Sequence, residues 1–375
     1  MNNIVKKKNN RESNYELMRL ISMFLVVLWH VILHGGFYET TGALKMLLEF
    51  IILVGVVHIN SFIIVSGYFQ CEKKFSWKKF ISIFFLTWFY KVIFVIIFKY
   101  FDIVTVPKID LFKELLPIDF KNYWYINIYL VLYLISPWLN KLIKNMNQKE
   151  YRKLLIVSFI LFSTIPFLTN QSTVANNGYT IIQFVYMYLI GGYLKKYPIE
   201  ENYHFKIYSN NKKQLIFIFS FCFFLLFNFL MLQFSTSLFS YNNSLLRETA
   251  KYISDNNRLY SNPFVIIQSI SYFLFFSTLH FKNKVVNYLA KSSLEIYLIH
   301  ENYYVCTNIY SILNTKQWLK YSNITIITYI FGLTIIFYIL CIIISLIRMY
   351  LFKGLSKTNL LNKIINNVLV YINNI

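Results

Sequence analysis

The chain has 375 residues, of which 57% are hydrophobic and only 14% charged, whereas a soluble domain of this size carries about 25% charged residues. Several uncharged apolar runs exceed the ~18 residues that cross the hydrocarbon core of a bilayer, which excludes a soluble globular protein. The net charge of +21 could indicate nucleic-acid binding, but the basic residues concentrate in alternate connecting segments, the positive-inside pattern of membrane proteins. We therefore expect an all-α, polytopic membrane helix bundle with no nucleic acid among its partners.

The apolar runs, taken in chain order, predict ten membrane-spanning helices. We place them at roughly 16–37, 46–69, 79–101, 123–140, 154–170, 178–194, 214–235, 260–280, 285–308 and 322–347. Because the chain contains only 10 Gly and 6 Pro, we expect these helices to be long and mostly unbroken.

The distribution of Lys and Arg predicts how the chain is oriented. The segments that include the two termini carry most of the basic residues. Since cytoplasmic loops carry this excess, we expect both termini in the cytoplasm and the bundle in the plasma membrane. Residues 1–352 then form one membrane domain. In 353–375, apolar residues share one helical face beside lysines, which predicts an amphipathic cytoplasmic tail lying on the lipid bilayer.

The first span contains three ionisable residues, Glu16, Arg19 and His30, and ionisable residues inside a span are functional candidates by default. Arg19 and His30 are separated by about three helical turns, so they share a face and lie ~16 Å apart along the axis. Glu16 lies three residues before Arg19 and could orient its guanidinium. A cytoplasmic anion with a long arm, such as acetyl-CoA, would fit this layout. Alternatively, Arg19 could be an inner-leaflet anchor and His30 could hydrogen-bond another helix.

Glu16, Arg19 and His30, together with further motifs along the chain, resemble the motifs of a known family. The first helix of acyltransferase-3 membrane O-acyltransferases, which modify bacterial surface polysaccharides, typically carries an acid, an Arg and a His at the spacing of Glu16, Arg19 and His30. The segments 58–69 (HINSFIIVSGYF), 122–125 (NYWY) with 133–137 (YLISP), 188–193 (YLIGGY) and 290–300 (AKSSLEIYLIH) also resemble that family in order. The resemblance covers about 13–350, nearly the whole chain.

The resemblance implies an activity and its substrates. The donor would be cytoplasmic acyl-CoA, usually acetyl-CoA, and the acceptor an outer-face polysaccharide or lipid-linked glycan. His30 would be the catalytic residue, and Arg19 would bind the donor. We also keep Glu16 as a second catalytic candidate. Many members carry an Arg pair after the second span, where this chain has Lys78 and Lys79. We keep these lysines as donor-binding candidates, although they could be ordinary positive-inside charges.

His300 is a further candidate because it lies about as deep in the ninth span as His30 does in the first. The two histidines could share a substrate-binding site, with Glu301 or Glu295 nearby; alternatively, His300 could only hold helices together. We expect no metal. A flippase or a polymerase for a lipid-linked oligosaccharide remains the rival function, but a transporter predicts repeats or broken helices, which the sequence does not indicate.

Two other residues are candidates for substrate binding. Lys91 lies in the middle of the third span and needs a partner or a water-filled cavity, so it could bind the donor or form a structural pair. Trp124 lies at the outer membrane edge, where it could stack on a sugar or act as an ordinary interfacial aromatic. Ser66 and Gly67 in the second span are interpreted as a site of close helix packing.

Overall fold

The structure, a computed structural model, describes residues 11–103, 123–169, 176–239, 241 and 243–355. Within those ranges every regular element is helical, as the composition predicts. The α-helices are α1 (Ser13–His34), α2 (Gly42–Gly55), α3 (His58–Gln70), α4 (Trp77–Tyr100), α5 (Trp124–Asn145), α6 (Gln148–Phe159), α7 (Ile165–Thr169), α8 (Ile181–Lys196), α9 (Tyr203–Lys206), α10 (Asn210–Leu238), α11 (Ser244–Asn256), α12 (Pro263–Ser277), α13 (Lys284–Leu289), α14 (Ser293–His300), α15 (Tyr303–Ile312) and α16 (Asn323–Leu355).

Long apolar helices make up most of the bundle. Among the described residues, seven segments are long and apolar enough to cross a membrane: α1, α2 with α3, α4, α5, α6 with α7, α10 and α16. The sixth, eighth and ninth predicted spans correspond to the shorter α8 and α12 and to the segmented α13–α15. The all-α membrane bundle is therefore confirmed. Most of the predicted tail, from 356 onward, lies outside the described residues.

The helix ends collect at two opposite faces of the bundle. We call the end where α1 begins the amino face and the opposite end the far face. At the amino face, Asn14 donates to the Phe276 carbonyl at the end of α12, and Asn140 near the end of α5 donates to the Gln70 carbonyl. At the far face, Gln233 near the end of α10 donates to Glu49 in α2. Successive passages therefore run antiparallel.

The expectation of mostly unbroken helices is wrong at the second and ninth predicted spans. The second divides into α2 and α3 at 56–57, and the ninth into α13, α14 and α15. Neither break contains proline. Instead a histidine ring binds a nearby backbone carbonyl: Nδ1 of His58 contacts the Gly55 oxygen, and Nδ1 of His300 contacts the Ile296 oxygen at 2.5 Å. Side chains can thus satisfy backbone groups where a helix stops, which makes such breaks tolerable inside a membrane protein.

The helices α3 and α8 pack so closely that only glycine fits at their contact. A Cβ atom on Gly67 would lie 2.1 Å from the Tyr188 oxygen, and one on Gly191 would lie 2.1 Å from the Ile64 oxygen. The predicted close packing at Ser66–Gly67 is therefore confirmed. This contact fixes the position of α3, and with it the position of His58 near the candidate site.

Candidate active site

The two histidines that the sequence placed at one depth lie in contact. Nδ1 of His30, one turn before the end of α1, is 2.9 Å from Nε2 of His300, the last residue of α14. Their ring centroids are 5.1 Å apart. The pair lies in the far-face half of the bundle, because α1 ends at His34.

An acidic side chain completes this cluster, and the structure shows which of the two predicted acids it is. The Glu301 carboxylate lies 3.0 Å from Nδ1 of His30 and 3.6 Å from Nε2 of His34. Glu295 is instead paired with Arg348. Glu301 reaches the histidines because α14 ends at His300, so that its side chain lies at the helix break. We call His30, His34, His300 and Glu301 the histidine cluster.

The hydrogen bonds determine which nitrogen of His30 carries the proton. His300 donates from Nδ1 to the Ile296 carbonyl, so its Nε2 is an acceptor in the neutral ring. His30 must then donate from Nδ1 to that Nε2, which leaves Nε2 of His30 with a lone pair. Among the described residues we find no hydrogen-bond partner for that nitrogen. His30 is therefore held in the tautomer that can accept a proton or attack a carbonyl at Nε2.

Aromatic side chains lie beside Trp29, the residue that precedes His30 in α1. The Trp29 and His58 rings lie 5.6 Å apart, and the Tyr260 ring lies 5.8 Å from His58. The backbone of Tyr260 is fixed by two hydrogen bonds, because the side-chain amides of Asn60 and Gln183 donate to its carbonyl oxygen at 2.9 and 3.0 Å. These helices thus present a rigid wall beside His30.

Trp124, the predicted sugar-stacking residue, extends this wall. Its ring lies 6.1 Å from Tyr260 and 4.7 Å from Tyr179. Tyr179 is 43% exposed, so the aromatic group opens at its edge. The structure therefore joins Trp124 to the aromatic group of Trp29, His58 and Tyr260.

At the amino-face end of α1, Glu16 lies between two arginines. Its carboxylate accepts from Arg19 at 3.0 Å and from Arg11 at 3.2 Å, so the predicted orientation of Arg19 by Glu16 is confirmed. Glu16 precedes His30 by fourteen residues of one helix, about 21 Å along its axis. The structure therefore does not bring Glu16 to the reacting nitrogen.

A row of two tyrosines leads from α5 to the histidines. The Tyr125 ring lies 5.9 Å from Tyr297, and Tyr297 lies 6.2 Å from His300. On this side, the histidine pair is therefore approached by neutral aromatic side chains.

The three candidate lysines lie in different surroundings. Lys78 and Lys79 are exposed at the start of α4, and the Lys79 ammonium lies 4.9 Å from the centre of the Tyr133 ring. Lys91 is only 2% exposed within α4. None of the three belongs to the histidine cluster.

A second buried charge cluster lies beside Lys91 and was missed by sequence reasoning. Glu295 accepts from Tyr90 at 2.5 Å and from Nε of Arg348 at 2.9 Å, and Nη2 of Arg348 contacts its other oxygen. This cluster joins α4, α14 and α16. An acid inside a span needs a cation, so Glu295 was a signal for this cluster. Its partner Arg348 lies just beyond the last predicted span, 322–347.

The histidine cluster also has the composition of a metal site. The ligand atoms of His30, His300 and Glu301 all lie within 4.8 Å of one another. Two histidines with one carboxylate form a common set of zinc ligands, and His300 has the backbone hydrogen bond that orients such a ligand. The residues present could therefore hold a divalent cation.

Comparison with known proteins identifies the family of the chain. A family model described as the acyltransferase domain of the acyltransferase-3 type matches residues 12–346, which include every residue of both clusters except Arg348. No curated protein and no solved structure matches the chain. The family model covers most of the chain, and we conclude that this protein belongs to the acyltransferase-3 family of membrane acyltransferases.

Proposed function

We propose that the protein transfers an acyl group, in the simplest case acetyl, from acyl-CoA to a hydroxyl of a cell-surface polysaccharide or its lipid-linked precursor. The observation that supports this most directly is the state of His30. Its Nδ1 is engaged by His300 and Glu301, and its Nε2 is left for chemistry. An activated imidazole is what acyl transfer from a thioester requires.

Two chemical routes use the same nitrogen. In the first, Nε2 takes the proton of the sugar hydroxyl while the oxygen attacks the thioester carbonyl, the C–S bond breaks, and the proton passes to the leaving thiolate. In the second, Nε2 attacks the carbonyl, the C–S bond breaks and the thiolate leaves, which gives an acyl-imidazole. The sugar oxygen then attacks that carbonyl, the C–N bond to His30 breaks, and the hydroxyl proton passes to the thiolate. In both routes His30 becomes cationic, and the Glu301 carboxylate at 3.0 Å stabilises that charge.

In this proposal the protein lies in the plasma membrane, with the amino face and both termini on the cytoplasmic side. The acyl donor binds at that face. Arg19, held by Glu16, is proposed to bind the donor phosphates. The exposed Lys78 and Lys79 would attract the donor to that face. The buried Lys91 is kept as a supporting residue of the donor path.

The acceptor end lies at the far face, which would be the outer side of the membrane. Trp124 and Tyr179 offer an aromatic surface on which a sugar ring can stack, close to Tyr260 and His58. His30 lies one turn before the end of α1, so an acceptor hydroxyl can reach it from that side.

The test is the O-acyl content of the cell's surface polysaccharide, measured by proton NMR. Deletion cells would carry wild-type protein, His30→Ala, or Leu33→Ala, whose side chain is exposed on the same helix. We expect acyl signals with wild type and Leu33→Ala and none with His30→Ala at matched expression. Full acylation with His30→Ala would overturn the proposal.

A flippase for a lipid-linked oligosaccharide is the second candidate, because its prediction of broken spanning helices agrees with the breaks at 56–57 and 301–302. A flippase would change the yield or chain length of the polysaccharide without changing its O-acyl content. If deletion removes polysaccharide and leaves the acylation of the remainder intact, the flippase is favoured and acyl transfer is rejected.

A further inference from the structure

A cavity of about 690 Å³ opens at the amino face and takes no part in the chemistry described so far. It lies among the start of α1, the ends of α3 and α8, and the end of α12 with the segment that follows. Its size is that of a small-molecule site.

The floor of this cavity is aromatic. Tyr15, Tyr68 and Phe273 line it, and their ring centroids are 5.2–5.4 Å apart. Tyr15 and Phe273 are buried, whereas Tyr68 is partly exposed. A planar ring entering the cavity would therefore stack mainly on Tyr68.

The rim of the cavity is cationic. Arg11 and Lys282 line it, and the Lys195 ammonium lies 4.8 Å from the centre of the Tyr68 ring. Glu12 is the carboxylate among the lining residues. With three cations against two carboxylates, Glu12 and the Glu16 that pairs with Arg11, the rim favours an anionic ligand, and the aromatic floor favours a planar one.

The cavity and the proposed donor path share one face of α1. At ~100° per residue, Tyr15, Arg19 and His30 fall within about 60° of one another around the helix. Arg11 at the rim is joined to Arg19 through Glu16, which accepts from both. A ligand with its ring in the cavity would thus place its phosphates near this pair of arginines and its remaining arm toward His30.

We propose that this cavity holds the nucleotide end of the acyl donor, with the adenine ring on Tyr68 and the ribose phosphate on Lys282. The inference rests on the proposed function, since it takes acyl-CoA as the donor. It adds to that function a subsite that recognises the nucleotide and is separate from the histidine cluster.

The experiment compares a full donor with a truncated one. Purified Tyr68→Ala and Lys282→Ala proteins would be assayed with acetyl-CoA and with acetyl-pantetheine, which lacks the nucleotide. We expect KM for acetyl-CoA to rise about tenfold with little change in kcat, because a charge-assisted hydrogen bond or a stacking contact is lost. The kcat/KM for acetyl-pantetheine should stay at the wild-type value. Lys284→Ala, exposed two residues beyond Lys282, is the matched control.

Two outcomes would overturn the subsite. One is an equal loss with both donors, which would indicate a structural effect; the other is an unchanged KM for acetyl-CoA. If the wild-type protein uses neither thioester, the proposed function fails, and the subsite is then tested by binding alone. Adenosine 3′,5′-bisphosphate should bind the wild type and Lys284→Ala in calorimetry and bind Lys282→Ala more weakly; equal binding to all three would reject the subsite.

Discussion

The role of Glu301 can be tested by removing its charge without changing its shape. Glu301→Gln keeps the size of the side chain but leaves His30 without its anionic neighbour. Glu301 is not proposed to contact either substrate, so substrate binding should change little. In the transition state the imidazole becomes cationic, so the loss should appear in kcat rather than in KM.

The distance between the two groups sets the size of the effect. Two unit charges 3.0 Å apart attract by about 1.4 kcal/mol at a dielectric constant of ~80 and by about 5.5 kcal/mol at ~20. Because each side chain is about one-fifth exposed, solvent screens part of this attraction. We expect about 2–3 kcal/mol, which lowers kcat about 30- to 150-fold.

The assay is release of free thiol from acetyl-CoA by the purified protein, with the polysaccharide as acceptor and saturating donor. Glu301→Asp should recover part of the activity, because it retains the charge. Glu39→Gln is the control, since Glu39 is exposed on the far face and pairs with Lys316 there. A folded Glu301→Gln protein with wild-type kcat would refute the role assigned to this carboxylate.

Three further predictions concern packing, charge pairing and metal. Gly191→Ala should destabilise the protein by about 1–3 kcal/mol, seen as a lower melting temperature in detergent, whereas Gly332→Ala, with nothing within 4 Å, should not; equal melting temperatures would contradict the packing argument. Arg348→Gln should cost about 3–5 kcal/mol by leaving Glu295 buried without its cation, and adding Glu295→Gln should recover part of that; no recovery would speak against the pair. Dialysis against EDTA should leave activity intact and added Zn²⁺ should inhibit it by occupying the histidine cluster; loss on dialysis with recovery on Zn²⁺ would instead indicate a catalytic metal.

Much of the candidate site could be read from spacing along single helices. Because α-helical geometry is regular, the relative positions of Glu16, Arg19 and His30 on α1 follow from residue numbers alone. The depth of His300 in its span similarly predicted that it could meet His30. The spacing could not choose between Glu295 and Glu301 as the acid beside that pair, because the choice depends on where the helix stops.

The helix breaks were also not predictable, because they too depend on contacts between residues that are distant along the chain. The second and ninth spans contain no proline at their breaks, and the His58 and His300 rings contact the nearby carbonyls of Gly55 and Ile296. Whether a histidine binds a carbonyl or another helix is decided by its neighbours in space. The apolar pattern of a span is the same whether its histidine binds a carbonyl of its own helix or a side chain of another helix, so the pattern does not reveal the break.

The sequence by itself therefore determined the class of protein, the membrane-spanning helices and the family signature of α1, because hydrophobic length and helical period are local properties. The tertiary structure decided which partners meet: Glu301 with His30, Arg348 with Glu295, and Tyr15 with Tyr68 and Phe273 at the amino-face cavity. These pairs join residues that are distant along the chain, and their contacts depend on how the helices pack and where they break.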